Sequence, residues 1–192
     1  MKRRIFVGLG LDEESRRGVA KVMKMLGRKH WPVRWEAGEK WHVTLAFLGE
    51  IDEGKLEKVV EVTRKVSKTH RGFRLAFKGL GAFPNLQLPY SVWMSVVGDL
   101  KSLHGLRKEL VSGLEMAGFV LDGKQFVPHV TLGRVKREAG RKVRLAMGKE
   151  IGKLREMKLD FEWQVTEVGV FESKLRQEGS KYEVVERLGL RV

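Results

Sequence analysis

The stretch Lys40–Glu50, KWHVTLAFLGE, places His42 and Thr44 two residues apart inside an otherwise apolar run. In a strand, residues two apart share a face, so His42 and Thr44 project together while Val43 and Leu45 project into a packed side. Phe126–Val135, FVPHVTLGRV, repeats His-Val-Thr-Leu 87 residues later and sets His129 beside Thr131 in the same way. Two such strands in comparable places, one in each half of the chain, point to a coarse internal repeat whose halves feed one site.

Outward from these strands, helix and strand patterns interleave. RIFVGLGL reads as an opening strand, and Asp12 can N-cap a helix through EESRRGVAKVMKMLGRK. VRWE is extended, and DEGKLEKVVEVTRKVSKTH carries a helical stripe at Leu56, Val59, Val60, Thr63 and Val66. FRLAFKGLGAF and YSVWMSVV read as strands, and LKSLHGLRKELVSGLEMAG as a third helix. After the second motif come a basic helical segment and a closing pair of strands, DFEWQVTEVGVFES and KYEVVERLGL. Several strands follow one another through short turns, so the sheets are expected to be antiparallel or mixed.

The 192 residues suffice for one domain, expected to span 1–192, and no apolar run approaches a membrane span. The chain has no cysteine, which excludes disulfides and thiolate metal sites and points to the cytoplasm. A net charge of +14 favours a polyanionic partner. From Gly133 to Lys158, ten Lys and Arg stand against three Glu, directly after the second motif. Val143, Leu145, Met147, Ile151 and Leu154 interrupt that run and could face a core. Lys136, Arg137, Arg141 and Lys142 are candidates for an RNA backbone.

Two imidazoles suit a reaction that removes one proton and delivers another, since their ordinary pKa lies near neutrality. Two hydroxyls can hold the oxygens of an anionic substrate. Phosphoryl chemistry at a phosphodiester fits this set without a metal or another cofactor. Neither motif offers ligand spacing for zinc, and there is no Gly-x-Ser-x-Gly. His30, His70 and His104 lack a threonine partner and read as surface or helix-end residues. Trp41 adjoins His42 but points away by alternation, and Trp93 reads as packing.

WHVTLAFLGE and FVPHVTLGRV, with RIFVGL, GAFPN, VWMSV and FESKLRQEGSKYEVV, resemble the 2H phosphoesterase superfamily, and within it the RNA 2′,3′-cyclic phosphodiesterases also called 2′-5′ RNA ligases. Gly179-Ser180 stands where that group often has Gly-Pro. The resemblance implies an α+β fold of two pseudo-symmetric lobes, each a mainly antiparallel sheet with outer helices, around a central cleft. It implies metal-free hydrolysis of an RNA terminal 2′,3′-cyclic phosphate to a 2′-phosphate by a monomer, with tRNA fragments among the candidate substrates. His42 would be the proton donor and His129 the proton acceptor, although the pseudo-symmetry allows exchange. Thr44, Thr131 and Arg134 would bind phosphate, and Phe47 would stack on the terminal base. Strict alternation argues against Phe47, since it belongs with Val43 and Leu45 unless a bulge turns it. The alternatives are 2′-5′ joining of RNA halves and a basic RNA-binding module whose histidines only grip phosphate.

Overall fold

The computed structural model describes residues 1–123, 125–176 and 179–191. Among the described residues, nine strands and four α-helices follow in the order β1 (Lys2–Gly10), α1 (Glu13–Gly27), β2 (Val33–Trp35), β3 (His42–Asp52), α2 (Leu56–Thr69), β4 (Phe73–Phe83), β5 (Ser91–Gly98), α3 (Leu100–Met116), β6 (His129–Val135), α4 (Arg141–Lys153), β7 (Lys158–Val165), β8 (Glu167–Arg176) and β9 (Gly179–Gly189). They form an α+β fold with a four-stranded sheet, β3-β1-β8-β9, and a five-stranded sheet, β2-β6-β5-β4-β7. Every strand pair within the two sheets is antiparallel.

Two of the helices, α1 and α3, start where an aspartate provides an acceptor for a free backbone N–H group. Asp12 Oδ1 accepts from the Ser15 amide at 2.8 Å, and Asp99 Oδ1 accepts from the Ser102 amide at 3.0 Å. α1 packs on β7 and α4 on β4, while α2 lies over β8 and β9; α3 joins the lobes by touching α2, β3 and β4. In α1, Gly18 lets the Phe161 ring lie against the helix, because a Cβ there would meet that ring at 2.4 Å. Leu9, Leu45, Met94, Leu110 and Trp163 lie fully buried in one continuous core. The two sheets approach each other where β3 nears β6, the two motif strands.

Three details depart from the sequence reading. DFEWQVTEVGVFES is two strands, parted at Thr166: β7 is an edge of the five-stranded sheet, and β8 is central in the other. The burial pattern carries the reason, since β7 alternates while residues 168–173 are buried without interruption. In α4 only Met147 and Ile151 of the expected stripe are fully buried, with Leu154 packed at the margin; Val143 and Leu145 are exposed. Arg144 fills the inward position instead, donating to the carbonyls of Ala139, Pro89 and Lys136. His30 lies three residues beyond the end of α1 in a left-handed conformation. Of the FESKLRQEGSKYEVV segment, Gln177 and Glu178 lie outside the described residues.

Candidate active site

Both motif strands carry a bulge at the same place. In β3, Val7 of β1 pairs with Ala46 and Gly8 pairs with Thr44, so Leu45 is the additional residue and both Leu45 and Ala46 turn inward. In β6, Val92 of β5 pairs with Gly133 and Trp93 with Thr131, so Leu132 is additional and Leu132 and Gly133 both face the core. An extra residue reverses the alternation beyond it. Positions i, i+2 and i+5 therefore share a face: His42, Thr44 and Phe47 on one strand, His129, Thr131 and Arg134 on the other. Phe47 is turned out of the core face that strict alternation assigns it.

These faces meet in two adjoining cavities. The larger, about 790 Å³, is lined by Thr44, Phe47, His129 and Arg134, with Phe83 and Phe126 on its apolar walls. The smaller, about 170 Å³, is lined by His42, Thr44, Phe47, Thr131 and Arg134 together with Tyr182. All six residues singled out in the sequence thus border these two cavities, which share Thr44, Phe47 and Arg134.

The two imidazoles are held alike. His42 Nδ1 lies 2.6 Å from the Lys40 carbonyl, and His129 Nδ1 lies 2.6 Å from the Val127 carbonyl. A carbonyl only accepts, so each neutral ring keeps its proton on Nδ1 and presents an unprotonated Nε2. At His42 the Thr44 hydroxyl donates to that Nε2 at 2.9 Å. Aromatic rings fix the planes. Phe6 lies 4.7 Å and Tyr182 5.2 Å from the His42 ring, while Phe83 lies 4.9 Å and Trp93 5.7 Å from His129. Gly8 opposite Thr44 leaves room for this arrangement, because a Cβ there would come within 2.7 Å of the Val43 carbonyl oxygen.

Burial pushes the His42 pKa down to about 4, against the opposing pull of the Lys40 carbonyl and with added repulsion from His129 and Arg16. Burial also lowers His129, opposed by the Val127 carbonyl. Both rings are therefore neutral at pH 7, where the unperturbed values allow one to be charged. A phosphate anion between them acts in the opposite sense and favours imidazolium.

Arg134 Nε lies 3.7 Å from Glu36 Oε1, and Lys40 Nζ lies 3.5 Å from Glu36 Oε2, so one carboxylate steadies two cations. The Arg4 guanidinium sits 4.9 Å from the centre of the Phe47 ring, holding it by a cation–π contact. Arg4, Glu36 and Tyr182 were not among the residues selected from the sequence. Arg4 and Tyr182 come from the two ends of the chain and carry no repeat to mark them. Trp41 is buried as expected, and His104 is exposed on α3 with its ring against Phe126. Among the described residues no group of three or more His, Cys, Asp or Glu side chains converges as a metal site would need.

Two antiparallel sheets that approach each other at matched His-x-Thr strands define the class by its fold, a two-lobed α+β architecture. A profile of the 2′-5′ RNA ligase superfamily matches residues 23–176. The RNA 2′,3′-cyclic phosphodiesterase of Methanothermobacter thermautotrophicus is 31% identical over 182 residues, covering 95% of this chain and 96% of that protein. The enzyme of the same name from Aquifex aeolicus is 30% identical over 188 residues, covering 97% of each. Among solved structures, TT0787 of Thermus thermophilus superposes with a TM-score of 0.81 at 26% identity, covering 98% of both chains. The chain belongs to the 2′-5′ RNA ligase superfamily, within the 2H phosphoesterases.

Proposed function

We propose that residues 1–192 form a single domain of two intertwined lobes that hydrolyses the terminal 2′,3′-cyclic phosphate of RNA to a 2′-phosphomonoester. The observation that carries the reading is the matched pair of imidazoles, each with its Nδ1 proton held by a carbonyl, on two cavities that share Thr44, Phe47 and Arg134. The names of the relatives in Methanothermobacter and Aquifex support the substrate class.

In the reaction His129 Nε2 takes a proton from water as the water attacks phosphorus. His42, protonated under the influence of the substrate anion, delivers a proton to the departing 3′-oxygen. The P–O3′ bond breaks, the P–O2′ bond remains, and the two rings exchange roles in the reverse direction. Protonation of His42 Nε2 releases the Thr44 hydroxyl, so Thr44 and Thr131 each donate to a non-bridging oxygen, and the Arg134 fork balances their charge. Phe47, fixed from one side by Arg4, offers its other face to the terminal base. The chemistry uses no metal or cofactor, so turnover persists in excess chelator. The enzyme works as a cytoplasmic monomer on RNA ends, tRNA fragments among them.

The test is an RNA oligomer ending in 2′,3′-cyclic phosphate, incubated with wild type and each histidine variant in chelator. The product is compared with 2′- and 3′-phosphate standards. Conversion to the 2′-phosphate that depends on both histidines supports the reading. Tight, salt-sensitive binding without conversion makes the protein a binder. Joining of RNA halves under the same conditions assigns it the ligase reaction.

A further inference from the structure

The rim of the smaller cavity carries more positive charge than the reacting phosphate needs. Arg34 of β2 stands directly opposite Arg134 of β6 in the antiparallel register. Val33 and Trp35 turn inward, since a Cβ on Gly133 would meet Val33 Cγ1 and Trp35 Cε3 within 3 Å. Arg34 and Arg134 consequently share the outer face, separated by roughly 5 Å of backbone spacing. Like charges in that position repel unless an anion joins them. Glu36 lies near Arg134 but is also engaged by Lys40. Among the described residues no carboxylate pairs with Arg34.

The Arg34 side chain also leaves its own lobe. Its guanidinium reaches the start of β9, where a Cβ on Gly179 would lie 3.6 Å from Arg34 Cζ. Ser180, the next residue, lines the smaller cavity with Arg4 and Lys40. The cation thus reaches from the five-stranded sheet to the start of β9, beside Arg134 and Ser180 of the smaller cavity, whose wall it does not itself form. A charge on an edge strand such as β2 also discourages edge-to-edge pairing. That role makes no use of Arg134 and has no connection with substrate.

We propose that Arg34, together with Arg134, forms a second anion subsite that takes the phosphate on the 5′ side of the terminal nucleoside. This rests on the cyclic phosphodiesterase reading and deepens it. The subsite makes the enzyme favour ends that belong to a nucleotide chain over bare nucleoside 2′,3′-cyclic phosphates. Arg134 faces both phosphates, and Arg34 faces only the second.

The experiment compares kcat/KM for adenosine 2′,3′-cyclic phosphate with kcat/KM for the same compound carrying a 5′-phosphate. One charge-assisted contact predicts a ratio of roughly 10–100 in favour of the 5′-phosphorylated substrate at low salt. The ratio falls toward one in Arg34→Ala and Arg34→Gln, and Arg34→Lys keeps part of it. Lys65→Ala, on the exposed face of α2, serves as a charge-matched control and keeps the wild-type ratio. A wild-type ratio near one, or a high ratio indifferent to Arg34, overturns the subsite and leaves Arg34 its edge-strand role. Failure to hydrolyse either compound, or the oligomer, overturns the cyclic phosphodiesterase reading itself and the subsite with it. Loss of circular-dichroism signal in Arg34→Ala would shift the decision to Arg34→Lys and Arg34→Gln, whose longer side chains preserve the packing.

Discussion

Each imidazole of the cleft has one nitrogen committed to the backbone and the other available for chemistry. Replacing His42 or His129 with alanine removes an acid or a base and is expected to lower turnover by roughly 10²–10⁴-fold; near-wild-type rates in both variants would sink the mechanism. Thr44→Ala loses one donor to the phosphate, about 1.5–3 kcal/mol, while Thr44→Ser keeps the hydroxyl and most of the rate. The lowered His42 pKa has a consequence for stability. An unfolded His42 takes up its proton near 6.5, and the native ring only near 4. Between those values the unfolded state binds more protons, so the contribution of a neutral, buried His42 is complete above pH 6.5 and declines as the pH falls toward 4. Between pH 7 and pH 5 the loss amounts to about 2 kcal/mol from this ring, with His129 acting in the same direction. Denaturant titrations at both pH values should show a smaller acid loss in His42→Asn; equal losses in variant and wild type would contradict the assignment.

At the scale of the element, the decisive features are the two bulges. Alternation alone was enough to read His42 with Thr44 and His129 with Thr131 from the sequence, because each pair lies before its bulge. The same rule misplaced Phe47, because the additional Leu45 is defined by what β1 pairs with and has no local signature. Glycines at the close approaches are similarly silent in the sequence. Gly133 is one of them, with Val33 Cγ1 2.5 Å from the position a Cβ would occupy. Gly133→Ala should push β2 away from β6, lower stability by about 1–3 kcal/mol and disturb the adjacent Arg134. A thermal midpoint unchanged from wild type would show that the edge strand yields at no cost. The division at Thr166 escaped reading for a related reason, since nothing nearby states that the next strand is central in a different sheet.

For the whole molecule, the positive charge and the topology matter most. The net charge of +14 predicts that RNA affinity falls steeply as salt rises, with a log–log slope reporting the number of phosphates neutralised. A slope that stays flat between about 50 and 200 mM salt would mean that the charge serves another purpose. Among the described residues no helix is long and apolar enough to cross a membrane. Unfolding is expected as one transition when followed by tryptophan fluorescence and by circular dichroism, since each sheet draws strands from both halves of the sequence. Two separated transitions would show that the lobes are independent.

The order of strands in the two sheets carries a mechanical consequence. From β1 to β2, β2 to β3, β3 to β4 and β7 to β8, the chain passes from one sheet to the other. Four passages are stitches along a seam, and a seam does not swing as a single hinge does. The gap between His42 and His129 is therefore preset by the sewing of the backbone, and an RNA end arrives at jaws whose span was fixed when the protein folded.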